Sequence, residues 1–340
     1  MPDSQAKYHH LIPQTYMSSW THGSNTLYVE YQNELGKIKE RNKEHIAGIT
    51  HYHSVTVGMP FCSKADAEQF FKPLEGLAVK INGQVIVDSK EMHKNYSDFN
   101  NWEITRQDGT LVSKRQLKAK IDQIRLRDIE DLWSSKYENR WRAIRDTLES
   151  QILGSQTNFI PELDKDFLMR FFTALDWRSF KSSQFYKDAI EKVFSLIPFD
   201  DSEIPEDERE IPFCKTAADY LNHCFLLKYF REYLNDDGVM FQDAMASLEH
   251  TTFHFFVADG AIPFITSDNP AFLYKRHDGL SQGMLAITPK VLMIKCKDSL
   301  KSGKYYISHI SENDVKQNNR IIRENADEFV IMKDNTNDPF

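Results

Sequence analysis

The sequence predicts an α+β fold, and three observations carry that expectation. Short strand-like runs cluster near both ends of the 340-residue chain, a long stretch of helical periodicity fills the middle, and Gly, Pro and Asp punctuate the runs at each end. The expected organisation is an N-terminal β-rich region at 8–112, a helical region at 113–247 and a C-terminal β-rich region at 248–333. The two β-rich ends are expected to meet in one mixed sheet with the helical block inserted between them. The length allows one compact unit or two intimately packed domains.

In the first region, TLYVEYQ (26–32) has the β-branched and aromatic content of a strand, and KADAEQFF (64–71) reads as one short helix. LAVKINGQVIVD (77–88) reads as a hairpin turning at Asn82-Gly83, a pair that accepts the positive φ angles of a two-residue turn. In the helical region Ser113 is a candidate cap, and neither Gly nor Pro intervenes until Gly154. Ile129, Trp133, Tyr137, Trp141, Ile144, Leu148 and Ile152 recur in steps of three and four, which makes one buried stripe. Leu117, Ile121 and Ile124 form a second stripe out of phase with the first, so a break is expected near 125–128. Another helix follows Pro161 around FLMRFFTALDWRSF.

FDDSEIPEDEREIP (199–212), acidic and with two prolines, reads as an exposed loop, and CKTAADYLNHCFLLKYFREYL (214–234) is helical again. The last region carries the strand runs HTTFHFFVAD, IPFITSD, MLAITP, VLMIKCK and KYYISHI. A late helix, SENDVKQNNRIIRENA (311–326), is capped by Ser311, and EFVIMK (328–333) is the final strand.

Hydrophobic residues at 41% supply a sizeable core, and a net charge of −8 argues against coating nucleic acid with the whole surface. A local basic groove is still allowed. KRQLKAKIDQIRLR (114–127) holds six Lys or Arg and one Asp, and reads as a solvated helix face or, functionally, a phosphate-contacting one. Cys62, Cys214, Cys224 and Cys296 form no CxxC pair, which argues against a zinc cage, and four cysteines in 340 residues are too sparse for a disulfide scaffold. With no signal peptide and no apolar run approaching ~18 residues, no membrane partner is expected, and the chain reads as cytoplasmic.

Three constellations could carry chemistry. In YHHLIPQTY (8–16), His9 and His10 point to opposite faces of a strand, so one can enter a site while the other packs. An imidazole there serves as general base or metal ligand, or as a hydrogen-bonded core group. In ITSDNP (265–270) a β run ends at Ser267-Asp268-Asn269-Pro270. Asp268 there is either turn chemistry or a base, a metal ligand or the orienter of a histidine. Arg178 follows Phe171 and Leu175 on one apolar helix face, so its guanidinium needs a partner, either Glu138 or a substrate phosphate. Lesser features are His51 and His53, which would share a strand face as two metal ligands, and His223-Cys224 in a helix expected to be buried. No glycine-rich phosphate loop, GxSxG or HExxH is present.

These residues resemble a mostly bacterial family, domain of unknown function 4238. Its members open with a pattern like His-His-x-hydrophobic-Pro-Gln-x-Tyr-Leu-x-x-Phe and carry a later hydrophobic-Thr-Ser-Asp-Asn-Pro. His9, His10, Pro13, Gln14 and Tyr16 match the first pattern, with Met17 in place of Leu and Trp20 in place of Phe. Thr266, Ser267, Asp268, Asn269 and Pro270 match the second. The helices around Glu138 and Arg178 and the strand ITPKVLMIKC (287–296) are also similar to family positions, over about 8–333.

The resemblance implies that the two motifs matter together, and that some relatives are encoded among phage-defence genes. The opening pattern also resembles the start of His-Asn-His nucleases, whose remaining ligands are missing here. The resulting expectation is a cytoplasmic antiviral defence or toxin-like effector, a hydrolase with a nuclease-like site for a phosphodiester in nucleic acid or a nucleotide. In it His9 or His10 is the base or, with Asp268, holds a divalent metal ion, and Arg178 neutralises phosphate. Gln14, Tyr16, Ser267, Asn269 and Glu138 support them. The rivals are a non-catalytic sensor of a phage protein or small ligand, and a wholly structural role for both motifs.

Overall fold

The computed structural model describes residues 8–181, 202–209, 211, 213–276, 278–297, 302–335 and 338–340. Residues 199–201, 210 and 212 of the expected acidic loop lie outside them. The described elements begin with β1 (Tyr8–His10), α1 (Gln14–Met17), β2 (Thr26–Tyr31), β3 (Ile38–Asn42) and β4 (Gly48–Thr50). Next come α2 (Lys64–Phe70), β5 (Ala78–Ile81), β6 (Gln84–Val85), α3 (Ser89–Lys94), β7 (Glu103–Thr105), α4 (Lys114–Asp122) and α5 (Asp128–Trp133). They continue with α6 (Asn139–Gly154), β8 (Phe159–Pro161), α7 (Lys165–Arg178), α8 (Ala217–Leu234), α9 (Gly238–Leu248) and β9 (Thr251–Ala258). The chain closes with β10 (Thr266–Ser267), β11 (Ala271–Lys275), β12 (Ser281–Thr288), β13 (Val291–Lys297), β14 (Lys304–Ile310), α10 (Glu312–Asn325) and β15 (Phe329–Met332). This is an α+β chain with strands at both ends and helices in the middle, as the sequence predicts. No described helix is long and apolar enough to cross a membrane.

The chain divides into two compact units, one of residues 1–52, 132–202 and 229–340, the other of 53–131 and 203–228. In the larger unit the two chain ends share a four-stranded sheet of order β10-β15-β2-β3, with β2 antiparallel to β15. The expected single sheet is nevertheless divided. Strands β11-β12-β13-β9-β14-β8 form a separate six-stranded sheet, mixed because β14 runs parallel to β9, while among the described residues β1 pairs with β4 alone. Pro270 supplies the physical reason at one seam. It has no N–H to give a ladder, so Thr266 and Ser267 pair with β15 while the chain from Ala271 onward pairs with β12.

The helical stripe of this unit packs as predicted. Trp133, Tyr137 and Trp141 are buried against Phe167 and Phe171 of α7, with Trp141 stacked 4.2 Å from Phe171. Such ring pairs contribute about 0.5–1.5 kcal/mol each beyond their buried area. Between α5 and α6 the chain widens into a π-helical turn at Ser134–Glu138. In the late helix Ser311 is the cap that the sequence suggests, and Asp314 completes it as a reciprocal capping box.

In the smaller unit β6-β5-β7 make a three-stranded sheet, and the hairpin turns where predicted, with φ of 49° at Asn82 and 78° at Gly83. Phe71, Tyr96, Phe99 and Trp102 form its aromatic core. The break after α4 has a clear cause: Leu126 leaves the helix to exchange two 3.0 Å backbone hydrogen bonds with Val55. Ser113 precedes α4 without a side-chain capping bond.

Candidate functional site

The first motif folds as a very short strand followed at once by a helical turn. Pro13 is the N-cap of α1, and its carbonyl accepts the N–H groups of Tyr16 and Met17, both at 3.1 Å. Within β1 the alternation is the predicted one: His9 is buried and His10 half-buried. The His9 ring stands edge-on to His51, 6.2 Å between centroids. His51 itself lies in a turn at a φ of 60°, not in a strand, so the expected shared strand face of His51 and His53 is absent.

His10 is held from several sides. Its carbonyl oxygen accepts hydrogen bonds from Nε and Nη2 of Arg178 at 2.9 and 2.6 Å. Its imidazole Nε2 lies 3.2 Å from the Glu44 carbonyl and 3.2 Å from Gln14 Nε2, and the Tyr8 ring meets it edge-on at 5.1 Å. Arg178 is buried at the end of α7, with its guanidinium 4.5 Å over the Trp133 ring. The burial inferred from its helix face is therefore correct. A charged fork on one carbonyl fixes the direction of the strand that carries the imidazole.

Tyr16 is fully buried. Its hydroxyl donates to the Ala286 carbonyl at 2.7 Å and lies 2.8 Å from Thr266 Oγ1. Burial pushes the phenol far above its ordinary range, so it works as a neutral donor. Trp20 adds a second tie, its indole N–H donating to the Phe264 carbonyl at 2.9 Å. The two motifs thus meet through side chains.

The second motif is a turn packed against the start of β15. Ser267 Oγ donates to the Asn269 carbonyl at 3.0 Å and accepts the Asn269 N–H at 3.2 Å. The Asp268 carboxylate accepts the backbone N–H groups of Asp327, Glu328 and Phe329 at 2.9, 2.5 and 3.2 Å. Asn269 Nδ2 donates to the Asn325 carbonyl at 2.9 Å, at the C-terminal end of α10. Burial raises the Asp268 carboxyl to about 6, and the three N–H donors pull in the opposite direction.

The described hydrogen bonds of Asp268 go to residues 327–329, and those of the His10 imidazole go to Gln14 and Glu44. Glu138 sits in the π-helical turn, where it accepts the Ser134 hydroxyl at 3.1 Å. In the smaller unit, His53 Nδ1 is buried 2.5 Å from Glu130 Oε1, an imidazole–carboxylate donor pair of the kind divalent metals use. His223 and Cys224 are buried in α8 as expected, with the Phe213 ring edge-on to His223.

Sequence reasoning missed three buried polar anchors. Arg145 donates to the Thr15 carbonyl and to Ser19 Oγ, clamping the turn after the first motif. It lies four residues past Trp141 and three before Leu148, the same edge-of-stripe placement that exposed Arg178. Asn319 of α10 is fully buried, accepting Ile265 N–H and donating to the carbonyls of Pro263 and Pro339. Glu30 is buried on β2 with Arg323 at 2.7 Å, a pairing across the fold that strand alternation cannot announce.

A family model described as "Protein of unknown function (DUF4238)" matches residues 8–336, nearly the whole chain, and the chain belongs to that family. No curated protein and no solved structure matches it.

Proposed function

We propose that this family member is a defence or toxin-like effector of the cytoplasm with hydrolytic chemistry, cleaving a phosphodiester in nucleic acid or a nucleotide with His10 as general base. One observation carries the reading. The His10 imidazole is half-buried while its own main chain is clamped by the buried Arg178 fork. A general base needs both reach to substrate and a fixed direction, and His10 combines them where the buried His9 lacks the reach. Gln14 and Arg178 act as positioning residues for it. Asp268, Ser267 and Asn269 hold the turn of the second motif, and Tyr16 joins that turn to the strand of His10. A divalent ion on His10 is the form this chemistry takes if cleavage needs metal.

The test compares parent, His10→Ala and His10→Asn for phage restriction or growth arrest, and for cleavage of RNA and DNA by the purified chain with and without chelator. Loss of a general base lowers the rate by about 10²–10⁴, with the thermal midpoint unchanged. A folded, fully active His10→Ala variant refutes the reading, and chelator-sensitive cleavage selects the metal form.

The second reading, a non-catalytic sensor, is favoured by one feature. An open cleft on the six-stranded sheet is lined by residues of neither motif.

A further inference from the structure

The cleft has a volume of about 870 Å³ and lies on one face of the six-stranded sheet, beside the C-terminal end of α10. The strand register shows how its floor is built. Tyr274 pairs with Gln282 across β11 and β12, and Ile294 pairs with His254 across β13 and β9. Phe256, two residues beyond His254, falls on the same face. The volume lies within the range of about 300–1,000 Å³ typical of small-molecule sites.

The polar groups of the floor are already organised. The Tyr274 hydroxyl donates to Gln282 Oε1 at 3.0 Å, and Gln282 Nε2 donates to Cys296 Sγ at 3.4 Å. His254 Nε2 shares a 2.9 Å hydrogen bond with Ser308 Oγ. Burial pushes the His254 imidazole down and the Cys296 thiol up, so both groups are neutral at physiological pH. A neutral floor of rings and amides suits binding and supplies no thiolate nucleophile.

Charge enters only at the rim. Lys275 and Arg276, both exposed, stand at the end of β11, and Arg276 is shared with Asp278 at 3.3 Å. Glu324, also exposed, lines the cleft from α10. Apolar ring surface, two cations and one carboxylate match the three parts of a nucleotide. A planar base rests on the part-exposed Phe256 ring, a carboxylate accepts ribose hydroxyls, and cations take the phosphate.

We propose that this cleft is a nucleotide-binding site, taking a nucleoside monophosphate with its base over Phe256, its ribose at Glu324 and its phosphate at Lys275 and Arg276. The second motif lines no part of this site but braces one wall of it from behind. Asn269 holds the carbonyl of Asn325, a cleft residue, and Asp268 holds the three N–H groups that follow. The proposal does not rest on His10, and its test reads binding, not turnover.

Isothermal titration calorimetry of the full chain with AMP, GMP, CMP and UMP, alongside adenosine and inorganic phosphate, is the measurement. Saturable binding of at least one nucleoside monophosphate is expected, tighter than adenosine or phosphate alone. Glu324→Gln and the double variant Lys275→Ala/Arg276→Ala are each expected to weaken it at least about tenfold, with unchanged thermal midpoints. The proposal is overturned if no nucleotide binds saturably, if phosphate alone binds as tightly, or if neither variant weakens binding.

Discussion

The hydroxyls of Tyr16 and Thr266 lie 2.8 Å apart, across a sequence separation of 250 residues. The same Tyr16 oxygen donates to the Ala286 carbonyl, so one side chain ties the first motif to two strands of the C-terminal half. Tyr16 and Thr266 are both buried, so bulk solvent does not reach this contact. Tyr16→Phe strands two partners there, and each buried group left unsatisfied costs about 1–3 kcal/mol. Thr266→Val removes one partner at smaller cost. A double-mutant cycle by urea unfolding is expected to give a coupling of about 0.5–3 kcal/mol; additive effects would show that the contact does not form.

Arg178→Met removes the two charged hydrogen bonds to the His10 carbonyl, each worth about 1.5–3 kcal/mol, and the cation over Trp133. Arg178→Lys keeps the charge but loses the fork, so it should fall between parent and Met variant in thermal melts. Equal midpoints for all three would mean that the guanidinium is not buried in solution. If Arg178 positions His10, the Lys variant also loses activity beyond its loss of folded protein.

Much of this arrangement was legible in the chain and some was not. The Asn82-Gly83 turn, the break before 128, the Ser311 cap and the burial of Arg178 all follow from local patterns of a few residues. The opposite settings of His9 and His10 follow from strand alternation alone. What escaped depends on distant partners. Glu30 looks outward by its position on β2, yet Arg323 covers it from α10. The division into separate sheets required knowing which strand Ser267 would choose. Asp268 and Asn269 carried a signal as polar groups at a strand end, but not their destination, the backbone around 325–329.

Asp268 makes stability depend on pH in a direction that can be worked out. Its folded carboxyl titrates at about 6, raised by burial from the ordinary 3.8. Between those values the folded chain binds the proton more tightly than the unfolded chain. The contribution is therefore fully present below about pH 3.8 and is lost as pH rises through about 6. Asp268→Asn has no such titration. The stability of the parent relative to this variant, from urea unfolding, should be greater near pH ~4.5 than near pH ~7.5. A difference that stays constant or grows with pH would show that the three N–H donors outweigh burial.

Gly283 offers a last test of the packing that supports the six-stranded sheet. It sits on β12 opposite Lys295, and a Cβ there would lie 2.6 Å from Phe172 Cζ and 2.9 Å from Lys295 Cβ. The Phe172 ring is buried and cannot retreat freely, and Lys295 Nζ rests 5.3 Å over that ring. Overpacking of this kind costs about 1–3 kcal/mol, so Gly283→Ala should lower the unfolding midpoint. Phe172→Leu creates a gap and is destabilising alone, but it makes room for the new methyl. The double variant should therefore be more stable than the sum of the two single losses predicts. Strict additivity would mean that β12 shifts to absorb the methyl and that Phe172 does not set the approach of α7 to the sheet.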